Sequence, residues 1–406
     1  MKEGIEIKNI NPNKKAETKT NKKKLSTKRI VSLILITILV IVVITIIILY
    51  LTVTSVRDFM DEYILGKIVT EDNLVSVQLD YESDVTVFGY SKYICVLAEN
   101  TLKQYNSSGT LANEIELVIT TPVYSVNSKY LAISEDGGTK IYVISDNKIL
   151  WEKEVDGNID KITINKNGYV AVVLSGTAYK SVIATYDSNG TELFKTYLSS
   201  TTAQDVTISQ DNEYLAFAEI NTSGTTIQSN IKIISVSEAQ ENPSDSIIFT
   251  YEADSNSLVT NIEYQKQNML VCMYDDAIHL ISNEQDEVIM ELEDDEQNIE
   301  FADIRLTNYI YRAIEKSTGL FQANTIIEML NIETTKETVY TIDGVVKSIY
   351  CFDDMIAVNL GQELEIFNTS GWMLKQYSSS QDIQDVTFAN NMAGIIYRDR
   401  VEIINL

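Results

Sequence analysis

A four-residue pattern, polar then apolar then any residue then apolar, returns along most of this chain at a nearly constant interval. It reads Asp84-Val85-Thr86-Val87, Asp205-Val206-Thr207-Ile208 and Asp385-Val386-Thr387-Phe388. Looser copies begin at Ser125, Lys161, Asn261, Asp303 and Ser348. Successive first positions lie 41, 36, 44, 56, 42, 45 and 37 residues apart, a mean of 43, which is the length of a unit of four short strands. Each unit repeats the same internal order. A polar turn leads to a second strand, as in Lys129-Tyr130-Leu131-Ala132, Gly168-Tyr169-Val170-Ala171, Glu213-Tyr214-Leu215-Ala216 and Asp354-Met355-Ile356-Ala357. A third strand follows and ends in a turn such as Tyr105-Asn106-Ser107-Ser108-Gly109, Tyr186-Asp187-Ser188-Asn189-Gly190 or Phe367-Asn368-Thr369-Ser370-Gly371. There Asn or Asp caps the turn and Gly accepts a positive φ. The period-2, β-branched and aromatic character of these runs makes the region all-β.

These units resemble the blades of β-propellers, and Asp146-Asn147-Lys148-Ile149-Leu150-Trp151-Glu152 is similar to the repeat of quinoprotein-type eight-bladed propellers. The resemblance spans about residues 70–406 and implies an eight-bladed β-propeller, with seven blades as the alternative count. Two stacked β-sandwiches would also be all-β, but evenly spaced units with matching turns favour radial closure. The wider layout is similar to an uncharacterised family of single-pass, membrane-anchored propeller proteins of low-GC Gram-positive bacteria, a resemblance that implies a fold and a location but no activity.

The last unit is incomplete. Met392–Tyr397 and Val401–Asn405 read as its second and third strands, and the sequence ends at Leu406. A missing outer strand leaves an open edge, which propellers avoid. Leu74-Val75-Ser76-Val77-Gln78-Leu79 precedes the first copy without a partner of its own, so it is expected to supply that strand and close the ring.

Charge divides the chain into three physically different segments. Residues 1–29 carry ten basic side chains and three acids, residues 30–56 carry none, and residues 58–406 carry 21 basic and 55 acidic side chains, a net −34. From Ile30 to Val53, 24 uncharged residues would form a helix of about 36 Å, longer than the about 30 Å hydrocarbon core of a bilayer. Tyr50-Leu51-Thr52-Val53-Thr54 has no small-residue cleavage pattern, so an uncleaved signal anchor is expected rather than a removed signal peptide. Lys22, Lys23, Lys24, Lys28 and Arg29 before the span and Asp58, Asp61 and Glu62 after it place the N-terminus in the cytoplasm and the C-terminal domain outside the cell. Four parts result: a basic disordered tail at 1–29, a transmembrane anchor at 30–53, a juxtamembrane stalk at 54–69 and the extracytoplasmic propeller at 70–406. In the stalk Val56, Phe59, Met60, Tyr63 and Ile64 fall at helical spacing and end near Gly66. The formal charge of −26 for the whole chain excludes a nucleic-acid partner, because phosphate contacts need an excess of Lys and Arg.

Chemistry-bearing residues are few. The single histidine, His279, sits inside a strand-like run and reads as structural, which excludes zinc sites built from several histidines and limits triad chemistry. Cys95, Cys272 and Cys351 each lie within an apolar run and read as buried free thiols. Asp187–Glu192 is explained by its hairpin, and the acidic run Glu291–Glu296 lacks a calcium-loop pattern, so no metal is expected. No cofactor ligand set accompanies the quinoprotein-like repeat, and no cofactor is expected.

The leading functional reading is a non-enzymatic binding or scaffold module for an extracytoplasmic protein, peptide or cell-envelope polymer. The alternative is an extracytoplasmic enzyme, either a carboxylate-based hydrolase or a degenerate quinoprotein. Connections between second and third strands share one face of a propeller, and three of them look long: Ser175–Lys180, Asn221–Ser229 and Lys316–Asn324. Insertions on one face of a repeat scaffold often form its binding surface. The candidate binding residues are therefore Tyr179 and Lys180, Thr225 and Ile227, and Phe321 and Gln322. The apolar members would grip the partner, and Lys180 with nearby hydroxyls would add polar specificity.

Overall fold

The computed structural model describes residues 27–69, 74–80, 84–253, 257–266, 268–292, 298–317 and 323–406. The chain forms two compact units that divide between Leu65 and Gly66. The first contains one long helix, Thr27–Thr52, within which Val31–Thr52 is long and apolar enough to cross a membrane. The hydroxyls of Thr37, Thr45 and Thr52 donate to the carbonyl oxygens of Leu33, Ile41 and Ile48, so these polar side chains satisfy themselves within the helix. Beyond its end, a short helix Thr54–Phe59 runs into a π-helical turn, Met60–Ile64. Arg57 donates to the Tyr50 and Leu51 carbonyl oxygens, groups that a helix terminus leaves without an internal partner.

The second unit is an eight-bladed β-propeller. Eight antiparallel four-stranded sheets follow one another at residues 86–116, 122–154, 158–198, 202–252, 259–291, 298–343, 348–378 and 385–405, the eighth using three of its own strands plus one from elsewhere. That borrowed strand is Val75–Gln78, which pairs antiparallel with Arg400–Ile403 and completes blade 8 as the sequence led us to expect. A second early strand was not anticipated. Ile68–Val69 runs parallel to Gln376–Tyr377 and adds a fifth strand to the outer edge of blade 7, so residues assigned to the stalk from sequence take part in the propeller unit.

Alternation along the strands places apolar side chains on both faces of each blade, and neighbouring blades bury them against one another. Eight apolar layers result, one per blade interface, including a layer in which Val77, Val401 and Ile403 of blade 8 meet Ile94 of blade 1. Radial closure thus covers every face that an open array would expose.

The repeat's polar positions have a structural purpose at the inner strands. Ile164, Tyr264 and Gly89 donate their backbone N–H to Ser125, Thr207 and Thr387 of the preceding blade, at 3.2, 3.4 and 2.7 Å. These bonds satisfy buried donors that no ladder reaches. Gly89 sits at a close approach of blades 8 and 1, since a Cβ there would lie 1.5 Å from the Phe388 carbonyl oxygen. In blades 1, 2 and 6 the register corrects the sequence alignment by two residues; in blade 6 Asp303 pairs with Tyr311 as Thr207 pairs with Ala216. Gly89 and Val126 pair with Ile94 and Leu131, as Ile208 and Phe388 pair with Leu215 and Ala393. Thr86, Val123 and Phe301, rather than Asp84, Ser125 and Asp303, therefore begin those copies. Short β-branched runs tolerate either alignment locally, and only pairing fixes it.

The hairpin turns form as read. Asn106, Asp187 and Asn368 accept backbone N–H groups two and four residues on, while Gly109, Gly190 and Gly371 adopt φ of 69°, 79° and 78°. Trp151, on which the quinoprotein-like resemblance rests, packs over Gly190 of the next blade, where a Cβ would come within 2.8 Å of its ring. Cys95, Cys272 and Cys351 are buried free thiols. His279 holds Asp286 through Nδ1 at 2.9 Å and packs on Tyr274, a structural arrangement.

Candidate functional site

Connections between second and third strands emerge on the same end of the propeller as the links between blades. Pairing shortens two of the three expected loops at their margins, because Asn221 pairs with Gln228 and Lys316 with Asn324. In blade 3 the loop joins Ser175 to Ser181. Thr177 Oγ1 accepts the Tyr179 N–H and donates to the Tyr179 carbonyl oxygen, which fixes the turn and directs residue 179 outward. The Tyr179 ring lies 4.7 Å from that of Tyr197, and the two remain 43% and 54% exposed. Lys180 anchors its backbone N–H on the Leu198 carbonyl and leaves its side chain in solvent. In blade 4, Thr225 is exposed and Ile227 is 43% exposed. The fold therefore carries Tyr179, Lys180, Thr225 and Ile227 on one face of two adjacent blades. Phe321 and Gln322 lie outside the described residues. Sequence reading missed Tyr197, which belongs to an outer strand and reaches Tyr179 only through tertiary pairing.

A second polar region was also missed. It lies around the central channel, where the inner strands meet. Lys161 Nζ of blade 3 approaches Asp205 Oδ1 of blade 4 at 3.6 Å, and Asp205 also accepts the N–H groups of Val206 and Ile262. Burial pushes the Asp205 carboxyl up, against the pull of Lys161 and those amides. In blade 6, Arg305 Nε donates to both Asp303 oxygens at 3.0 and 2.9 Å, yet Arg305 is 63% exposed on its side chain, so the guanidinium stands in the open lumen. Glu263 of blade 5 makes no hydrogen bond to the described residues. Desolvation first, then repulsion from Asp205 and Asp303, raises its carboxyl to about 8, with Arg305 opposing. Burial also raises Asp385. Across the lumen Tyr124 of blade 2 is pushed up to about 12 by burial, reinforced by Tyr350 and Asp385. The sequence signal was present in the third position of the repeated quartet. That position is a hydroxyl where it latches blades, but Glu263 and Asp303 occupy it in blades 5 and 6, and Arg305 follows two residues on. No group of His, Cys, Asp or Glu among the described residues is arranged to hold a metal ion.

Fold and surfaces together define a closed eight-bladed propeller with a polar channel and a loop-bearing face. The chain belongs to the family of unknown function DUF5711, whose model matches residues 70–406, the whole of the propeller from the closure strand onward. No match was found among curated protein sequences. Among solved structures, the chain is similar in fold to the dihydro-heme d1 dehydrogenase NirN in complex with DHE, at 7% identity and a TM-score of 0.50 over 79% of this chain and 71% of that one. BamB from Moraxella catarrhalis aligns at 11% identity and a TM-score of 0.48, over 82% of this chain and 99% of BamB. Sqt1 of Chaetomium thermophilum, bound to the N-terminus of ribosomal protein L10, aligns at 9% identity and 0.48, over 79% of this chain and 92% of that one. At these identities the likeness concerns architecture alone.

Proposed function

We propose that this protein is a membrane-anchored, non-enzymatic binding or scaffold module, with its N-terminus in the cytoplasm and its propeller outside the cell. It engages a protein, peptide or envelope polymer on the face that bears the strand 2–3 connections. The observation carrying this reading is the solvent-exposed Tyr179–Tyr197 pair, held by a fixed turn beside the exposed Ile227 of the next blade. Rigid aromatic rings offer large contact area at small entropic cost, the chemistry that dominates binding hot spots. Lys180 and Thr225 supply the polar rim. The anchor and orientation are supported by the uncharged Val31–Thr52 helix and by the five basic residues from Lys22 to Arg29.

In-cell crosslinking of the outer domain, followed by identification of what it captures, tests the reading. Tyr179→Ala combined with Ile227→Asp is expected to reduce capture at least about tenfold while the propeller stays folded, because hot-spot residues carry most of the energy of an interface. Undiminished capture by the folded double variant would overturn it.

One observation favours a hydrolase instead, namely the high pKa of Glu263 beside Asp205. Against that reading, Asp205 is committed to Lys161 and two amides, and Asp303 to Arg305, so neither carboxylate that acts on Glu263 is free among the described residues. A hydrolytic activity of the purified protein on wall glycans or peptides, abolished by Glu263→Gln, would replace the binding reading.

A further inference from the structure

On the opposite face, where the turns between first and second strands emerge, a cleft of about 250 Å³ opens between blades 4 and 5. Tyr214, Phe249, Tyr251 and Tyr264 line it, and the turn residues Asn283 and Glu284 form part of its rim. Phe249 and Tyr251 alternate on the outer strand of blade 4, with ring centroids 6.3 Å apart. Asn283 and Glu284 both have positive φ, at 50° and 65°, so the hairpin that carries the carboxylate is tightly turned.

Two features distinguish this cleft from ordinary packing between blades. Tyr264 is 3% exposed, yet its hydroxyl, like those of Tyr214 and Tyr251, makes no hydrogen bond with the described residues. None of these hydroxyls is among the buried polar atoms that lack a partner, so they open on the cleft, where a ligand can meet them. The charged groups that act on the Tyr251 and Tyr264 phenols are all acids. Glu284 and Asp286 act on Tyr251, and Asp211 acts on Tyr264. Asp286 is engaged by His279, whereas Glu284 forms no ion pair among the described residues. Burial raises the Tyr251 and Tyr264 hydroxyls, so both stay neutral and keep lone pairs to accept a donor.

We propose that this cleft binds a primary alkylammonium group, such as the side-chain amine of a lysine. Its methylene stem would lie against the rings, its N–H groups would donate to the phenol oxygens, and its charge would face Glu284 and the aromatic π-clouds. The net −34 of residues 58–406 draws such a cation in and repels phosphates and carboxylates. A neutral apolar group would leave the phenols unpaired, and a quaternary ammonium would offer them no N–H.

Titration calorimetry on the full chain in nonionic detergent tests this with Nα-acetyl-lysine methylamide, its ε-acetylated counterpart and choline. The lysine derivative is expected to bind at least about tenfold more tightly than either other compound, a difference of about 1.4 kcal/mol. Phe249→Leu, which keeps apolar bulk but removes the ring, and Glu284→Gln, which keeps the turn, are each expected to weaken it about fivefold with unchanged thermal melting. Equal binding of the ε-acetylated compound would overturn recognition of the charge, and equal binding of choline would overturn the role of the N–H donors. No binding of the lysine derivative, or binding indifferent to both variants, would overturn the site. The cleft and the loop-bearing face lie on opposite ends of the strands, so the result is separable from that of the capture experiment.

Discussion

At the scale of single residues, the seam between blades 8 and 1 shows how little freedom a closed ring leaves. A Cβ on Gly89 would meet backbone atoms of Phe388, which cannot rotate aside as a side chain could. Gly89→Ala is expected to destabilise the propeller by about 3 kcal/mol or more, measured by chemical denaturation. Thr387→Val should cost about 1–2 kcal/mol, because it leaves the buried Gly89 N–H without its acceptor. Glu263 makes a prediction of the opposite kind. Its folded pKa near 8 exceeds the ordinary value of about 4.3, so between those pH values the folded state holds more protons than the unfolded one. Stability from this group is complete below about pH 4 and is lost as pH rises through about 8. Glu263→Gln, neutral throughout, should therefore gain about 2 kcal/mol relative to the native protein between pH 5 and pH 8.5. That is less than the full shift would give, because water in the channel screens the charge. Parallel pH profiles for the two proteins would refute it.

At the scale of elements, the two early strands differ in what they secure. Val75–Gln78 covers the edge of blade 8 and places Val77 in the apolar layer of the seam, whereas Ile68–Val69 adds two residues to an already complete blade. Deleting residues 74–80 should lower stability by about 3 kcal/mol, from the lost burial of Val77 and Val75 and the exposed edge. Deleting residues 66–69 should cost less than half of that. Calorimetric melting of both deletions checks the ranking, and an unchanged melt for the 74–80 deletion would show that closure does not depend on this strand.

At the scale of the whole molecule, the proposed orientation predicts that protease added to intact, wall-stripped cells will digest or release the acidic propeller. Full protection would reverse the topology. The same net charge of −34 that keeps the propeller soluble makes its association with cationic partners salt-dependent, so capture at the loop-bearing face and binding in the aromatic cleft should respond differently to ionic strength. The cleft, which depends on a charge, should weaken as salt rises, and the Tyr179 face, which depends on ring contacts, should change little.

Repetition and composition were enough to establish the blade unit, the apolar helix, the hairpin turns and the closing strand, because each is a local property or a count. A pattern of period two, a Gly that must take positive φ and 24 residues without charge carry their meaning in the chain itself. Register in blades 1, 2 and 6, the extra strand at Ile68–Val69 and the contact of the Tyr179 and Tyr197 rings depend on which segments meet, and no local signal states that. The same holds for both polar regions found in the structure. Glu263, Asp205 and Arg305 are separated by tens of residues and gather only because eight inner strands converge on one axis, where burial and neighbouring charge then alter their protonation. Tyr214, Tyr251, Tyr264 and Glu284 read as ordinary strand and turn residues, and line one cleft only when blades 4 and 5 pack together.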